Sequence, residues 1–577
     1  MLIKRMDRLA GLPTSLGIAV LTAATALPFS RVDFDPHHDG VMVAAAVAVR
    51  DGLMVQKDVF AQYGPVTPLL QGWVLKTGMD PTLGIRLLNI VAIALVAFAV
   101  ADLGRKMPNF WPISLSAGRW ASLAWVVVAD YFLWVPQLPW SSTIAAALAA
   151  WALLLVGRTL TARLQSHRLP WQVPATCVGL LLAVLPFARI NVGLATAATG
   201  VAVAVLAFVL SPRARALVFW IAGSWGVATA LILALLFASG ALLPWWNQAI
   251  IWPLSWAGEV GSQLGPDVLL QESLRTFWLA LVGILCVVAL VPWRAGSRPK
   301  ATRWIAALSL LTSLGLLLGL YRNPGLPRLF LADQRGVRDS LTDGLTRSGL
   351  VLLTLMVVVV VLVAVFRGVQ ITYALLQRRS SPEESLSWLA LIGFALASLV
   401  QYAPVPDSRH IWWGLPLGMA FVFASLGRSR LWSPTRNPLA LPLAAAAVAA
   451  LFSGKAYLDI DRIPGPAGSV AAGILSQDET AVRADAAFNL LSESIGSSSA
   501  IFLVAEGAWS VFDGRYHSTD AYFVDWSALY DLTDRLSAAD YVVTDELALE
   551  RDGPILQELG FRQSSVDGAL QVWTRSP

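Results

Sequence analysis

Long apolar runs are the feature that most constrains how this chain can fold. Hydrophobic residues make up 56% of its 577 residues and charged residues 14%. A helix of about 20 apolar residues spans the roughly 30 Å hydrocarbon core of a bilayer, so runs of that length predict membrane-spanning helices. Thirteen such runs are present, near residues 11–29, 83–104, 119–136, 139–157, 172–187, 190–210, 216–237, 276–292, 303–320, 348–366, 386–402, 411–426 and 437–454. The sequence therefore predicts an all-α polytopic membrane protein with about 13 transmembrane helices.

Basic residues indicate which ends of these helices face the cytoplasm. With the N-terminus inside, seven inner segments each carry two or three Lys or Arg, 18 in all, whereas the outer segments near 137 and 238–274 carry none. This asymmetry follows the positive-inside rule. The outer segment 321–347, with five arginines, is an exception. The first run resembles a signal sequence without a small-x-small cleavage site, so we predict an uncleaved anchor in the plasma (inner) membrane.

The end of the chain differs in charge from the rest. Residues 456–577 hold 19 acidic and 7 basic side chains, a net charge of −12, whereas residues 1–455 carry +17. Short strand-like and helix-like stretches alternate along this tail, with strands at 500–505, 540–545 and 570–575 and helices at 480–494 and 526–537. We therefore divide the chain into a transmembrane catalytic module, 1–455, and an extracytoplasmic acidic α/β domain, 456–577.

A dense polar cluster follows the first apolar run. Three aspartates and two histidines occur within seven residues: Asp33, Asp35, His37, His38 and Asp39. Ionisable groups beside a membrane are costly to hold there unless they act on something polar. The cluster therefore predicts a substrate site at the start of a long outer loop, residues 30–82.

This loop resembles the first external loop of the GT-C superfamily of glycosyltransferases, membrane enzymes that use polyprenyl-phosphate sugars. The shared order is an acidic start, an alanine-rich helix over 41–50 closed by Gly52, then Asp58 and Tyr63-Gly64-Pro65. The motif covers about residues 31–70, and the resemblance extends to the many-span architecture and the external C-terminal domain. It implies an inverting transfer in which an acidic residue of this loop is the general base that deprotonates the acceptor hydroxyl.

The resemblance makes Asp39 and Asp35 the first candidates for that base and Asp33 the third. A carboxylate suits the task because a nearby cation or partial desolvation adjusts its pKa. Where the superfamily usually has Asp-Glu, this chain has His38-Asp39. A second interpretation is a divalent cation site, for Mg²⁺ or Mn²⁺, formed by Asp35, Asp39 and His38. A third is structural, with the aspartates capping the following helix and the histidines lying at the lipid interface.

Further polar residues lie on the predicted outer face. Arg189, Arg409 and His410 are candidate ligands for a donor phosphate, because guanidinium and imidazole donate to phosphate oxygens. The alternative for the arginines is that they only extend to lipid headgroups. The remaining substrate-binding candidates are His37, His38, Asp58, Tyr63 and Asp130. Trp245, Trp246, Trp252 and Trp256 fit an interfacial belt or a sugar-stacking surface.

These features together predict an inverting hexosyl- or pentosyltransferase of cell-envelope biosynthesis. Its donor would be a polyprenyl-phosphate-linked sugar, and its acceptor a glycan, lipid or protein on the extracytoplasmic side; no nucleic acid is implied. Two rival classes are a polytopic transporter or flippase for lipid-linked glycans and a non-catalytic scaffold for envelope assembly. The absence of an internal repeat in the sequence argues against a transporter. A glycan polymerase or ligase shares the substrate class.

Overall fold

A computed structural model gives the fold of this chain. The structure describes residues 2–251 apart from short gaps at 33, 35–37, 62, 106, 108–109, 132–138 and 166–170, then 253, 340–377, 380–402 and 408–427, and parts of 463–575 that include seven strands.

Helices form most of the described structure. They are α1 (Leu2–Ala26), α2 (His38–Arg50), α3 (Val66–Leu75), α4 (Pro81–Asp102), α5 (Leu115–Tyr131), α6 (Ser141–Gln165), α7 (Gln172–Ala188), α8 (Ile190–Leu210), α9 (Arg215–Ala238), α10 (Leu242–Trp246), α11 (Ser340–Leu376), α12 (Pro382–Leu399) and α13 (Ser408–Gly427). Ten predicted apolar runs fall on described residues, and each coincides with one of these helices. The runs at 276–292, 303–320 and 437–454 lie outside the described residues, so the count of 13 stays a prediction.

The helices pack as a bundle in which α4, α5, α6 and α13 are central. Helix α4 packs on α1, α5 and α6, and α13 packs on α5, α11 and α12. One apolar core runs through them. At its centre the Trp125 and Trp412 rings stack with centroids 4.7 Å apart, and each indole N–H donates to the other residue's backbone carbonyl. The reciprocal bonds satisfy two buried indole donors while keeping the large apolar rings in the core.

Four described helices are long and apolar enough to cross a bilayer by length and composition. They are Pro81–Asp102, Ser141–Arg163, Ile190–Leu210 and Arg215–Ala238. Helices α8 and α9 bury little of their surface inside the protein and expose large apolar side chains such as Phe219 and Leu235. An apolar face of this kind is costly in water and fits lipid hydrocarbon.

The outer loop contains two short helices, α2 and α3, of which the sequence predicts the first. Helix α2 ends at Arg50, and the chain turns away at Gly52, whose φ of +94° suits glycine. The amides of Gly52 and Leu53 donate to the carbonyls of Val49 and Ala48, which closes the helix with a Schellman motif. Helix α3 then packs against α2 and α4. The alanines of α2 are buried, so this helix is a core element of the loop rather than an exposed lid.

The described part of the tail contains a mixed sheet. Its strands are β1 (Ile463–Pro464), β2 (Leu475–Ser476), β3 (Ala500–Leu503), β4 (Ser518–Thr519), β5 (Tyr541–Asp545), β6 (Phe561–Asp567) and β7 (Leu570–Arg575). Five of them form one sheet in the order β4-β3-β5-β7-β6, with β3 parallel to β4 and β5, and β7 antiparallel to β5 and β6. The three strands predicted from sequence are β3, β5 and β7, and these predictions are confirmed. The predicted helices at 480–494 and 526–537 fall almost entirely outside the described residues.

This sheet packs directly on the outer loop. Val543, Leu570 and Val572 form one buried cluster with Phe34, Met42 and Val43. Alternate residues Val542 and Trp573 point to the other face, where they pack with Leu556. Val32 also pairs with Leu475 in an isolated β-bridge. The tail sheet and the outer loop therefore lie on the same side of the helix bundle.

We expect Leu570→Ala to destabilise the contact between sheet and loop. Leu570 is buried in that cluster, and truncating a buried leucine costs about 2–5 kcal/mol. Thermal unfolding in detergent should show a lower Tm than for Leu396→Ala, which truncates a leucine on the exposed face of α12. Equal Tm values for the two variants would contradict the packing described.

Candidate functional site

The first polar element of the site is a fully buried ion pair at the start of α2. Arg86 of α4 donates from Nη2 to Asp39 Oδ2 at 2.5 Å and from Nε to Oδ1 at 3.2 Å. Its Nη1 donates to the carbonyls of Ser30 and Val32 at 3.3 and 2.9 Å. Neither side chain has appreciable exposure. Arg86 thus holds the first turn of α2 and the end of the preceding 3₁₀ turn against α4.

This geometry favours a positioning role for Asp39. Both of its oxygens accept from Arg86, and the carboxylate has no exposed surface. An acceptor hydroxyl has to approach its general base within about 3 Å. The other candidates, Asp33, Asp35 and His37, lie outside the described residues, as does the side chain of His38. Their roles stay predictions.

Of the three predicted cation ligands, Asp35, Asp39 and His38, the structure describes the side chain of Asp39. Arg86 donates to both oxygens of this carboxylate, and each oxygen keeps a further lone pair. Among the residues that the structure describes, no three His, Cys, Asp or Glu side chains group closely enough to hold a metal ion. The predicted site for Mg²⁺ or Mn²⁺ therefore stays a prediction.

The second element is Arg189, at the break between α7 and α8. Its backbone is extended (φ −154°, ψ 112°), its amide ends α7 by donating to Leu185, and its carbonyl accepts from Gly193 in α8. The guanidinium is buried, lies 4.4 Å above the ring of Tyr63, and donates to Ser141 Oγ at 3.3 Å. The face of the Tyr63 ring and the hydroxyl of Ser141 therefore stabilise this buried cation.

Tyr63 is fixed by close backbone contact between the outer loop and α7. The next residue, Gly64, has φ +128°, and a Cβ at this position would lie 2.2 Å from the carbonyl oxygen of Phe187. Only glycine allows this approach. The buried Gln248 accepts from the Ala61 amide and donates to the Gln56 carbonyl. The loop that carries Tyr63 is therefore held from two sides.

A run of aromatic rings connects Tyr63 to His410. Tyr63 lies 5.4 Å from Trp140, Trp140 stacks on Trp413 at 6.1 Å, and His410 meets Trp413 edge-on at 5.3 Å. Three residues predicted from sequence to bind substrate, Tyr63, Arg189 and His410, thus lie in one connected cluster. The side chain of Arg409 lies outside the described residues.

A small apolar cleft, with a volume of about 20 Å³, lies beside Arg189 and Tyr63 and is partly open to solvent. Its walls are Val41, Met42, Ala45, Phe60, Ala61, Tyr63, Gly64, Thr67, Pro68 and Ser141. Two of these residues contact Arg189: Tyr63 through its ring and Ser141 through its hydroxyl. The cleft therefore combines apolar walls with a cation at its edge, the arrangement that ligand sites commonly use to orient a charged group.

The other sequence candidates lie apart from this cleft or beyond the described residues. Asp58 is exposed, and one of its oxygens accepts from the Met54 amide within its own turn. The side chain of Asp130 is outside the described residues. Trp245 is buried against Phe187, whereas Trp246 is half-exposed. Trp252 and Trp256 are outside the described residues.

Sequence reasoning missed Arg86, Ser141 and Gln248. A signal for Arg86 was present, since it is the only basic residue between 77 and 104, and a lone charge within an apolar run normally has a partner. Ser141 and Gln248 carry no such signal, because isolated serine and glutamine residues are ordinary at helix ends.

Comparison with known proteins gives only distant likenesses. No family model matches the chain, and no curated protein matches it. Among solved structures, it is similar to ArnT from Cupriavidus metallidurans bound to undecaprenyl phosphate, at 12% identity and a TM-score of 0.45 over 98% of both chains. It is also similar to the Archaeoglobus fulgidus oligosaccharyltransferase in complex with Zn and sulfate, at 12% identity and a TM-score of 0.48 over 97% of this chain and 73% of that one. At these values neither likeness carries an argument about function.

We expect the Asp39–Arg86 pair to be a major source of stability. Asp39→Ala or Arg86→Met alone leaves one buried charge without its partner, which costs about 3–5 kcal/mol. The double variant should lose less than the sum of the two single variants. The partly exposed Arg50–Asp51 pair is a matched control, because Asp51→Ala should cost less than about 1 kcal/mol. Strictly additive losses in chemical denaturation would contradict the pairing.

We expect Gly64→Ala to disrupt the site through its contact with Phe187. The new methyl group meets a backbone carbonyl, so the loop has to move or strain at a cost of about 1–3 kcal/mol. Gly78→Ala is the control, because Gly78 also has a positive φ, of +84°, but open space around it. A lower Tm for Gly64→Ala than for Gly78→Ala would measure the effect of the close approach between Gly64 and Phe187. Equal Tm values for the two variants would refute that approach.

Proposed function

We propose that this protein is an inverting glycosyltransferase of the GT-C type that uses a polyprenyl-phosphate-linked sugar. The observation that carries the proposal is the convergence of Arg189, Tyr63 and an apolar cleft at the outer loop. A lipid-linked sugar phosphate presents an anion, a polar ring and an apolar chain together. The buried guanidinium of Arg189 suits the anion. The apolar cleft beside it, next to membrane-length helices, suits the chain.

The proposed reaction is a direct displacement at the anomeric carbon. A loop aspartate removes the proton from an acceptor hydroxyl, the acceptor oxygen forms a bond to the anomeric carbon, and the bond from that carbon to the phosphate oxygen breaks. The polyprenyl phosphate leaves with the electron pair, and the proton stays on the aspartate. Arg189 stabilises the charge that grows on the leaving phosphate. His410 was the second phosphate ligand expected from the sequence, but Trp140 and Trp413 lie between it and Tyr63, so Arg189 is the ligand proposed here.

We assign the general base to Asp35, with Asp33 as the alternative. Asp39 was an equal candidate by sequence, but its oxygens are engaged by Arg86. In this proposal Asp39 orients the start of α2 and thereby the segment that precedes it. A base has to exchange its proton with bulk water after each turnover, which a fully buried, paired carboxylate such as Asp39 does poorly.

We further propose that the site faces the extracytoplasmic side, with the N-terminus in the cytoplasm. The positive-inside asymmetry of the sequence supports this orientation. The acidic tail then lies outside as well, since its sheet packs on the outer loop. Its place beside the site suits a role in binding the glycan, lipid or protein acceptor.

A transfer assay tests the function. Purified wild-type protein should consume one member of a panel of radiolabelled polyprenyl-phosphate hexoses and pentoses and label a membrane-extracted acceptor. Asp35→Asn should lower the rate by about 10²–10⁴-fold, since a general base contributes that much. Arg189→Lys should lower it by about 10²-fold or more. Asp51→Asn, an exposed carboxylate outside the cleft, is the control.

Several outcomes would change the assignment. An active Asp35→Asn variant together with an inactive but folded Asp39→Asn variant would move the base to Asp39. Full activity in Asp33, Asp35 and Asp39 variants would make the cluster structural. If no donor is consumed, a transporter or scaffold for lipid-linked glycans becomes the better proposal.

A further inference from the structure

Charged side chains also group at the end of α4 that lies away from the outer loop. Asp102, the last residue of α4, is fully buried and accepts from two arginines. Arg105 donates from Nε to Oδ1 and from Nη2 to Oδ2, the latter at 2.9 Å, and Arg158 of α6 donates from Nη2 to Oδ2. One carboxylate therefore serves two guanidinium groups, which leaves one positive charge in excess.

A third arginine enlarges this excess. Arg119, in the second turn of α5, is half-buried and lies close enough to interact with the charges of both Asp102 and Arg105. Three guanidinium groups against one carboxylate give this group of side chains, the arginine cluster, a net charge of +2. The stretches 103–118 and 157–171, which follow α4 and contain the end of α6, include further basic residues and no Asp or Glu. The sequence around the cluster therefore adds to its positive charge.

Most of the donors of Arg158 have no partner within the part of the chain that the structure describes. A guanidinium carries five N–H donors. The described residues accept one of them, from Nη2 to Asp102. The side chain of Arg158 is 37% exposed, whereas that of Arg105 is 12% exposed. The unused donors of Arg158 therefore lie at the surface, where an anion from outside the chain can accept from them.

The arginine cluster lies where a membrane-length helix meets the bilayer surface. Asp102 is the last residue of the apolar helix Pro81–Asp102, and Arg158 lies in the last two turns of the apolar helix Ser141–Arg163. The phosphates of phospholipids lie at this depth, and basic pockets between transmembrane helices bind anionic head groups. A single interfacial arginine only extends to the surrounding head groups. Three converging guanidinium groups instead fix the position of one phosphate.

We propose that Arg105, Arg119 and Arg158 form a binding site for the phosphate of an anionic phospholipid. Arg158 donates to the phosphate oxygens with the N–H groups that Asp102 leaves unused, and Arg105 and Arg119 add charge from deeper in the cluster. Asp102 positions two of the guanidinium groups and is not itself a ligand. This inference does not rest on the proposed glycosyltransferase activity, because the site lies at the other end of α4 from the outer loop.

Lipid binding to the full-length protein in a neutral detergent tests the proposal. Native mass spectrometry gives the Kd of the first bound lipid for dioleoyl phosphatidylglycerol and for dioleoyl phosphatidylcholine, whose phosphate is balanced by an ammonium group. Wild-type protein should bind phosphatidylglycerol more tightly than phosphatidylcholine. Arg158→Gln should raise the Kd for phosphatidylglycerol about fivefold or more, the loss expected for one basic residue at an anionic surface. The Kd for phosphatidylcholine should stay unchanged.

Arg215→Gln is the matched control. Arg215 is the first residue of α9, is exposed, and donates from Nε to the carbonyl of Phe208. It lies outside the arginine cluster, so this variant should leave the Kd for phosphatidylglycerol unchanged. Arg105→Gln is the second test variant, which replaces Arg158→Gln if that protein does not fold, and it should also raise the Kd for phosphatidylglycerol.

Weaker binding of phosphatidylglycerol by Arg158→Gln than by wild type and Arg215→Gln supports the site. Equal Kd values for the two lipids in wild-type protein would overturn it, as would equal Kd values in wild type and Arg158→Gln or an equal loss in Arg215→Gln. Displacement of phosphatidylglycerol by an equal concentration of inorganic phosphate would also overturn it, since the ligand would then be a soluble anion. Sugar transfer plays no part in this readout, so its failure leaves the proposed glycosyltransferase function untouched.

Discussion

The rest of the site depends on the buried pair between Asp39 and Arg86. Removing two charges from water is expensive, and the cost is offset only when both are fully hydrogen-bonded. Arg86 meets that condition with four donations, two to Asp39 and one each to the carbonyls of Ser30 and Val32. The pair therefore specifies one position for α2 relative to α4. Because Val41 and Met42 follow within one turn, it also sets one wall of the cleft.

The pairing with Arg86 also affects the electrostatics of the cleft, because it neutralises the charge of Asp39. A free carboxylate at the start of α2 would repel a phosphate. Paired with Arg86, it leaves the positive charge of Arg189 beside the cleft without a competing carboxylate from Asp39. The pair between Asp39 and Arg86 thus stabilises the structure, whereas Arg189 supplies the charge proposed to bind the phosphate. All three side chains are buried within one region.

Much of the helical framework was predictable from sequence, because apolar runs of bilayer length leave the backbone few alternatives to helix. The strands β3, β5 and β7 were also predictable from their β-branched and aromatic residues. Contacts between distant segments were not. The approach of Gly64 to Phe187 joins residues more than 120 positions apart, and the role of Gln248 depends on a loop almost 190 positions earlier. Local patterns carry no information about such pairs.

The candidate site was partly predictable for the same reason. Tyr63 stood out through the resemblance of its loop, and Arg189 and His410 because they lie at predicted outer turns between apolar runs; the structure connects the three. Asp39 was found as a residue, but the sequence gives no indication that Arg86 reaches it. Burial of both partners, rather than residue type, separates a positioning carboxylate from a general base.

The most direct measurement of the central claim is a cryo-electron microscopy map of the protein with undecaprenyl phosphate in nanodiscs. The account predicts density for the phosphate beside Arg189, with the prenyl chain leaving along the apolar side of the outer loop. Density for the prenyl phosphate elsewhere, with none beside Arg189, would contradict it.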